Sequence, residues 1–195
     1  MQKVYIIEDN DGARNLLKEL VATSGIEARS FPDAQEFLDQ FNHSWVGCIV
    51  TDVRMPRISG IALQEILRKR DCNMPIIFIS GYADVSMAVD VMKSGAFDFF
   101  EKPFSNHALL ESINRAFVLN TEIQANEEKK VELEEKISLL TKREHEVMEC
   151  LMTGKKNKDV AELYDISVRT VEVHRQRLLN KLNVKSVADL ILKHA

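Results

Sequence analysis

Short apolar runs alternate with amphipathic stretches over the first 104 residues of the chain. The runs are Val4-Tyr5-Ile6-Ile7, Cys48-Ile49-Val50, Ile76-Ile77-Phe78-Ile79 and Phe97-Asp98-Phe99-Phe100. A weaker one, Glu27-Ala28-Arg29-Ser30, reads as an edge strand. Between them, apolar positions recur at helical spacing near 11–24, 33–42, 60–70 and 85–94. Near-continuous apolar strands separated by helices predict a parallel sheet covered on both faces. Five such units and a closing helix predict a doubly wound α/β domain of flavodoxin-like type.

Past residue 104 the strand pattern stops. All four prolines (Pro32, Pro56, Pro75, Pro103) lie before that point, and residues 105–140 read as one long helix. Its middle, Glu127 to Lys136, holds eight charged residues out of ten. A stripe at alternating four- and three-residue spacing runs through Leu119, Ile123, Asn126, Lys130, Leu133, Ile137 and Leu140. It fits either a short coiled coil with polar register positions or a solvated connecting helix.

From residue 141 the chain reads as four short helices. Thr141-Lys142-Arg143-Glu144 is a capping box, Gly154 closes the first helix, and Asn157 and Ser167 are candidate caps for the second and third. Ser186-Val187-Ala188-Asp189 resembles a further capping box. Residues 157–164, a turn at 165–167 and a longer helix at 168–182 have the lengths of a helix-turn-helix. On that longer helix Val168, Val171, Leu178, Leu179 and Leu182 share one side and are expected to face a core. Arg169, Glu172, Val173, Gln176, Arg177 and Asn180 share the other, with Thr170 near its start. Such a face suits the major groove, where arginine, glutamine and asparagine read base edges. Lys155, Lys156, Lys158 and Lys181 are expected at phosphates, which position without specifying. A small helical protein-binding module with a solvated charged face is the alternative on these residues alone.

Charge supports a division of labour. Residues 1–120 carry 12 basic and 16 acidic side chains, residues 121–138 carry 3 and 6, and residues 139–195 carry 11 and 8. An acidic module joined to a basic one suggests that only the second faces nucleic acid. A length of 195 residues suits two small domains: 1–120, a helical linker at 121–138, and 139–195. No apolar run approaches the roughly 18 residues that span a bilayer. The start of the chain lacks a secretion signal, so a cytoplasmic protein with no membrane contact is expected. Cys48, Cys72 and Cys150 are odd in number and far apart, which fits small core hydrophobes in a reducing compartment.

Chemistry in an open α/β sheet gathers at the carboxyl ends of the strands. Here those ends deliver Glu8 and Asp9, Asp52, Ser80, and Lys102 before Pro103. Each alone has an ordinary reading as a cap, a turn residue or a surface charge. Together, three carboxylates on one edge would repel strongly, which a hard divalent cation such as Mg²⁺ relieves. A carboxylate nucleophile beside a metal, a lysine and a hydroxyl suits phosphoryl transfer.

The segments Ile7-Glu8-Asp9, Val50-Thr51-Asp52-Val53-Arg54-Met55-Pro56 with Gly60, Ile79-Ser80-Gly81 and Gly95-Ala96-Phe97-Asp98-Phe99-Phe100-Glu101-Lys102-Pro103-Phe104 resemble a two-component receiver domain. Leu140-Thr141-Lys142-Arg143-Glu144, Gly154, Asn157-Lys158-Asp159-Val160-Ala161, Ser167 to His174 and Lys181 to Ser186 resemble a LuxR-type helix-turn-helix. The combination resembles NarL/FixJ-class response regulators, and Gly81-Tyr82-Ala83-Asp84-Val85 with Glu101-Lys102-Pro103-Phe104 leans towards the FixJ side. The resemblance implies a flavodoxin-like (βα)5 receiver, a long linker helix and an all-α four-helix DNA-binding domain. It implies that Asp52 accepts phosphate from a sensor histidine kinase. Asp9, Asp52 and the backbone carbonyl of Arg54 would ligate Mg²⁺ with Glu8 in support, Lys102 would pair with the phosphoryl oxygens, and Ser80 and Phe99 would form the switch. The Lys102–Pro103 bond would be cis. By the same resemblance Glu172, Val173 and Gln176 face bases in double-stranded promoter DNA. A phosphorylation-dependent homodimer would form through the face near Val91 to Glu101, and RNA polymerase is a further partner. The chain would be no enzyme beyond its own phosphorylation and dephosphorylation.

Overall fold

The computed structural model describes residues 2–81 and 85–194, so Tyr82, Ala83 and Asp84 of the Gly81-to-Val85 motif lie outside the described residues. It divides into two compact units, Met1–Ile123 and Gln124–Ala195.

The first unit alternates strand and helix: β1 (Lys3–Ile7), α1 (Asp11–Thr23), β2 (Ala28–Phe31), α2 (Ala34–Gln40), β3 (Gly47–Asp52), α3 (Gly60–Lys69), β4 (Ile76–Ser80), α4 (Val85–Lys93) and β5 (Asp98–Glu101). α5 (Asn106–Ser138) begins in this unit. The sheet is five-stranded in the order β2-β1-β3-β4-β5 and every pair is parallel. This is the flavodoxin-like order. Alternate strand residues feed opposite faces. Tyr5, Ile7, Ile49 and Phe78 pack with Phe37, Leu63 and Val91 of α2, α3 and α4. Val4, Ile6, Val50 and Ile79 pack with Leu17 of α1 and Leu109 and Ile113 of α5. Burial on both faces explains why the three central strands read as unbroken apolar runs.

The edge strand β2 needs other protection. The Arg29 guanidinium lies 4.7 Å from the Trp45 ring, which stacks on Tyr5 at 4.6 Å. At the opposite end of the sheet from the strand carboxyl ends, the amide of fully buried Asn120 accepts the Gly47 N–H at 2.8 Å. Gly47 has φ 136, and a Cβ there would lie 1.9 Å from the Lys3 carbonyl oxygen. Gln2 donates to the Phe117 carbonyl at 2.8 Å. These bonds fasten the middle of α5 to the starts of β1 and β3.

In the second unit α6 (Lys142–Met152), α7 (Asn157–Tyr164), α8 (Val168–Leu182) and α9 (Val187–His194) enclose a core of Val147, Leu151, Val160, Val171, Leu178, Leu182 and Leu190. The Thr141 capping box forms, with Glu144 as its reciprocal partner, and Ser167 caps α8. Two expectations are corrected. The cap of α7 is Lys156, whose backbone N–H donates to Asp159; Asn157 starts the helix and instead accepts from Arg175. Val168 is 41% exposed, because the first position of α8 projects past the end of the core. Of the apolar stripe that runs through α5, Leu133 and Ile137, with Leu140 just past the helix end, pack into the core of this unit.

Candidate phosphoacceptor site and nucleic-acid interface

The carboxyl ends of β1, β3 and β4 and the chain just past β5 converge on one edge of the sheet. Lys102 joins them: its Nζ donates to Glu8 Oε2 at 2.8 Å and to Asp52 Oδ2 at 2.7 Å. The Lys102 side chain reaches the site from the turn after β5, where its backbone N–H donates to the Ser80 carbonyl at 2.7 Å and the Lys102–Pro103 bond is cis. Asp52 is further fixed because its Oδ1 accepts the Arg54 N–H at 2.8 Å. Directly beneath it, the Gly60 N–H donates to the Val53 carbonyl at 2.9 Å.

Glu8 is 2% exposed and Asp9, its neighbour in sequence, is exposed at the rim. The Glu8 carboxylate also accepts the Asn10 N–H, and Arg14 on α1 donates to the Glu8 carbonyl at 2.8 Å. Burial pushes the Glu8 carboxyl above its ordinary range, partly opposed by the Lys102 hydrogen bond. Burial alone would lower Lys102, but its bonds to Asp52 and Glu8 outweigh this and hold it above its ordinary value. Lys102 is therefore a fixed cation at neutral pH.

Three carboxylates against one ammonium leave an excess of negative charge at an oxygen-lined mouth. Among the described residues no cluster of three His, Cys, Asp or Glu side chains is close enough to hold an ion by itself. Mg²⁺ keeps several waters and needs only one or two carboxylates, so the oxygen donors and the charge fit that ion.

Ser80 is buried at the end of β4, next to Asp52, whose β3 position pairs with Ile79. Phe99 pairs with Phe78 across β4 and β5 and is half-buried against the α2–α3–α4 side of the sheet. Its backbone N–H donates to Asp98 Oδ1, while Asp98 Oδ2 accepts from Ser112 and Arg115 of α5. Sequence reading missed Arg14, Ser112 and Arg115. No local pattern announces them, because their partners lie on other elements.

In the second unit the outer side of α8 presents Arg169, Glu172, Val173, Gln176, Arg177 and Asn180, all exposed. Gln176 donates to Asn180 at 3.1 Å, four residues along the same side. Thr170 is half-buried and lies 2.8 Å from the Ser167 hydroxyl. Lys155, Lys156 and Lys158 are exposed before and within the start of α7. Lys181, expected at a phosphate, has a 39% exposed side chain that turns towards α6. Its ammonium donates to buried Glu144 at 2.7 Å.

Comparison with known proteins agrees with both halves. Residues 4–114 match the response regulator receiver domain, and residues 138–194 match the bacterial regulatory proteins of the luxR family. The transcriptional regulatory protein TdiR of Thauera aromatica is 38% identical over 188 residues, 96% of this chain and 83% of that protein. The transcriptional regulatory protein FixJ of Azorhizobium caulinodans is 39% identical over 96% of this chain and 89% of its own length. Among solved structures, the response regulator StyR is 38% identical with a TM-score of 0.79, covering 98% of this chain and 97% of that one. Full-length FixJ from B. japonicum is 35% identical with a TM-score of 0.60, covering 98% and 95%. A receiver joined to a LuxR-type DNA-binding domain defines a transcriptional response regulator, and the chain belongs to that family.

Proposed function

We propose that Asp52 is the phosphoacceptor, that a sensor histidine kinase is the donor, and that phosphorylation promotes a homodimer that binds promoter DNA through α8. The observation that carries this is the pair of hydrogen bonds from Lys102 to Asp52 and Glu8, which points one fixed cation at the nucleophile. Asp52 Oδ2 attacks the phosphorus of a phosphohistidine, the P–N bond breaks, and the imidazole leaves with a proton. Lys102 exchanges a carboxylate oxygen for a phosphoryl oxygen. Asp9, Asp52 and the Arg54 backbone carbonyl would hold Mg²⁺, with Glu8 in support, and the ion would supply charge neutralisation at the phosphoryl oxygens.

The added charge of up to about −2 favours whichever conformation binds it best. Ser80 turns its hydroxyl to the phosphoryl group, and Phe99 moves inward behind it. Dimerisation through the face near Val91 to Glu101 follows. The receiver spans 1–120, the linker 121–138 and the DNA-binding domain 139–195. Arg169, Thr170, Glu172, Val173, Gln176, Arg177 and Asn180 meet base edges and the adjoining backbone, and Lys158 meets a phosphate. RNA polymerase contact and a cytoplasmic location belong to the same reading. The described residues hold no helix long and apolar enough to cross a membrane.

Treatment with beryllofluoride and Mg²⁺ is expected to shift the full chain from monomer to dimer in analytical ultracentrifugation and to tighten DNA binding. Asp52→Asn is expected to abolish both responses. A variant that responds like the wild type would refute the assignment of Asp52.

A further inference from the structure

The geometry points to Glu144 and Lys181 as a strut that sets the pitch of α8 against α6. Lys181 then supports DNA binding as a positioning residue, not as a phosphate contact. The inference rests on α8 being the recognition helix.

Three observations carry it. First, Lys181 follows Arg177 by four residues and Leu178 by three, so it leaves α8 at the border between the outer side and the core-facing side, with its side chain 39% exposed. Second, its ammonium is spent inside the unit. It donates to Glu144 Oε2 at 2.7 Å and reaches the Leu139 carbonyl at 3.4 Å. Third, Glu144 is buried, 3% exposed. Among the described residues it accepts from Lys181 and from the N–H and hydroxyl of Thr141, the last two at 2.8 and 2.9 Å. A buried carboxylate that loses its cation is strongly penalised, so the distance between α6 and the end of α8 is held fixed. These bonds outweigh burial and draw the Glu144 carboxyl down to about 2.

The same turn of α6 holds α7. Arg143 lies 4.7 Å over the Tyr164 ring and donates to the Tyr164 carbonyl at 3.4 Å. At the other end Arg175 ties α8 to Asn157 at the start of α7. The first turn of α6 is therefore a bracket for both helices of the helix-turn-helix. Because Lys181 also holds the Leu139 carbonyl, the bracket includes the residue that follows α5.

The test uses the full chain activated with beryllofluoride and Mg²⁺, with a duplex selected by that chain from a random-sequence pool as probe. Affinity is measured across a salt series for Lys181→Met, Glu144→Gln and the double variant, below their melting temperatures. Each single variant is expected to bind about tenfold more weakly, and the double variant no worse than either single. The slope of log affinity against log salt is expected to stay at its wild-type value. A phosphate contact predicts the reverse: a slope smaller by about 1 in Lys181→Met and unchanged or tighter binding in Glu144→Gln. Either of those results overturns the proposal. If Glu144→Gln does not fold, the slope of Lys181→Met decides alone. Gln176→Ala tests the reading face independently: unchanged sequence preference there refutes that face, while the salt slopes still decide Lys181.

Discussion

Gly60 lies so close to Asp52 that a Cβ added to it would stand 2.3 Å from the Asp52 carbonyl oxygen. The first residue of α3 is thus a stop against the backbone that carries the phosphoacceptor. Gly60→Ala must push α3 or the end of β3 aside. We expect a loss of about 1–3 kcal/mol in the first unit, read by urea denaturation, with slower phosphorylation by acetyl phosphate. Wild-type stability in this variant would contradict the close approach.

Glu8 is buried beside Lys102, and burial holds its carboxyl above its ordinary value of 4.5. A group raised in this way stabilises the fold at low pH and loses that contribution as pH rises through its folded value. Replacing it with glutamine removes the penalty. Glu8→Gln is expected to melt a few degrees higher than wild type at pH 7, with the gap closing in acid. A lower melting temperature at pH 7 would show that the Lys102 pair outweighs burial.

Glu144 has the opposite sign. Its folded carboxyl lies at about 2 against an ordinary 4.5. Its contribution is fully present above pH 4.5 and is lost as pH falls towards 2. Acid melts of the second unit followed by helicity should show this decline in wild type and a flatter profile in Glu144→Gln. Parallel profiles would rule the carboxylate out as the source.

The Asn120 side-chain oxygen accepts a buried backbone donor, the Gly47 N–H, at 2.8 Å. Asn120→Ala leaves that donor unpaired, at a cost of about 1–3 kcal/mol. The first unit should lose that much in chemical denaturation, with phosphoryl acceptance intact because the site lies at the other end of the strands. Loss of phosphorylation without loss of stability would contradict this.

On α8, two exposed side chains should separate by kind. Gln176→Ala is expected to relax preference at one base position by about 1–3 kcal/mol. Lys158→Ala, at a phosphate, is expected to weaken all duplexes alike and to reduce the salt slope by about 1. Competition binding over a set of single-base variants distinguishes the two patterns.

Much of this was legible in the sequence because burial on both faces leaves little freedom. Ile76 to Ile79 are apolar because each has a helix above or below it. The weaker run at 27–30 proved to be edge strand β2, where one side of the strand goes unpaired. The cluster around Asp52 was legible because strand ends are fixed by the strands themselves. What escaped was set by tertiary distance. Lys181 and Glu144 are 37 positions apart, and no spacing rule links them. Asn157 is a good capping residue, yet Arg175 from another helix claims its side chain. Leu133 and Ile137 keep the spacing of a coiled coil, but the neighbouring core claims them first.

Trp45, which shields the sheet edge with Arg29, is the single tryptophan of the chain. It belongs to the first unit, and the second has no indole at all. Intrinsic tryptophan emission is therefore a private reporter of the phosphoacceptor half. Helicity, by contrast, follows both halves together. Recording the two signals in one denaturation experiment separates the melting of each half without cutting the chain.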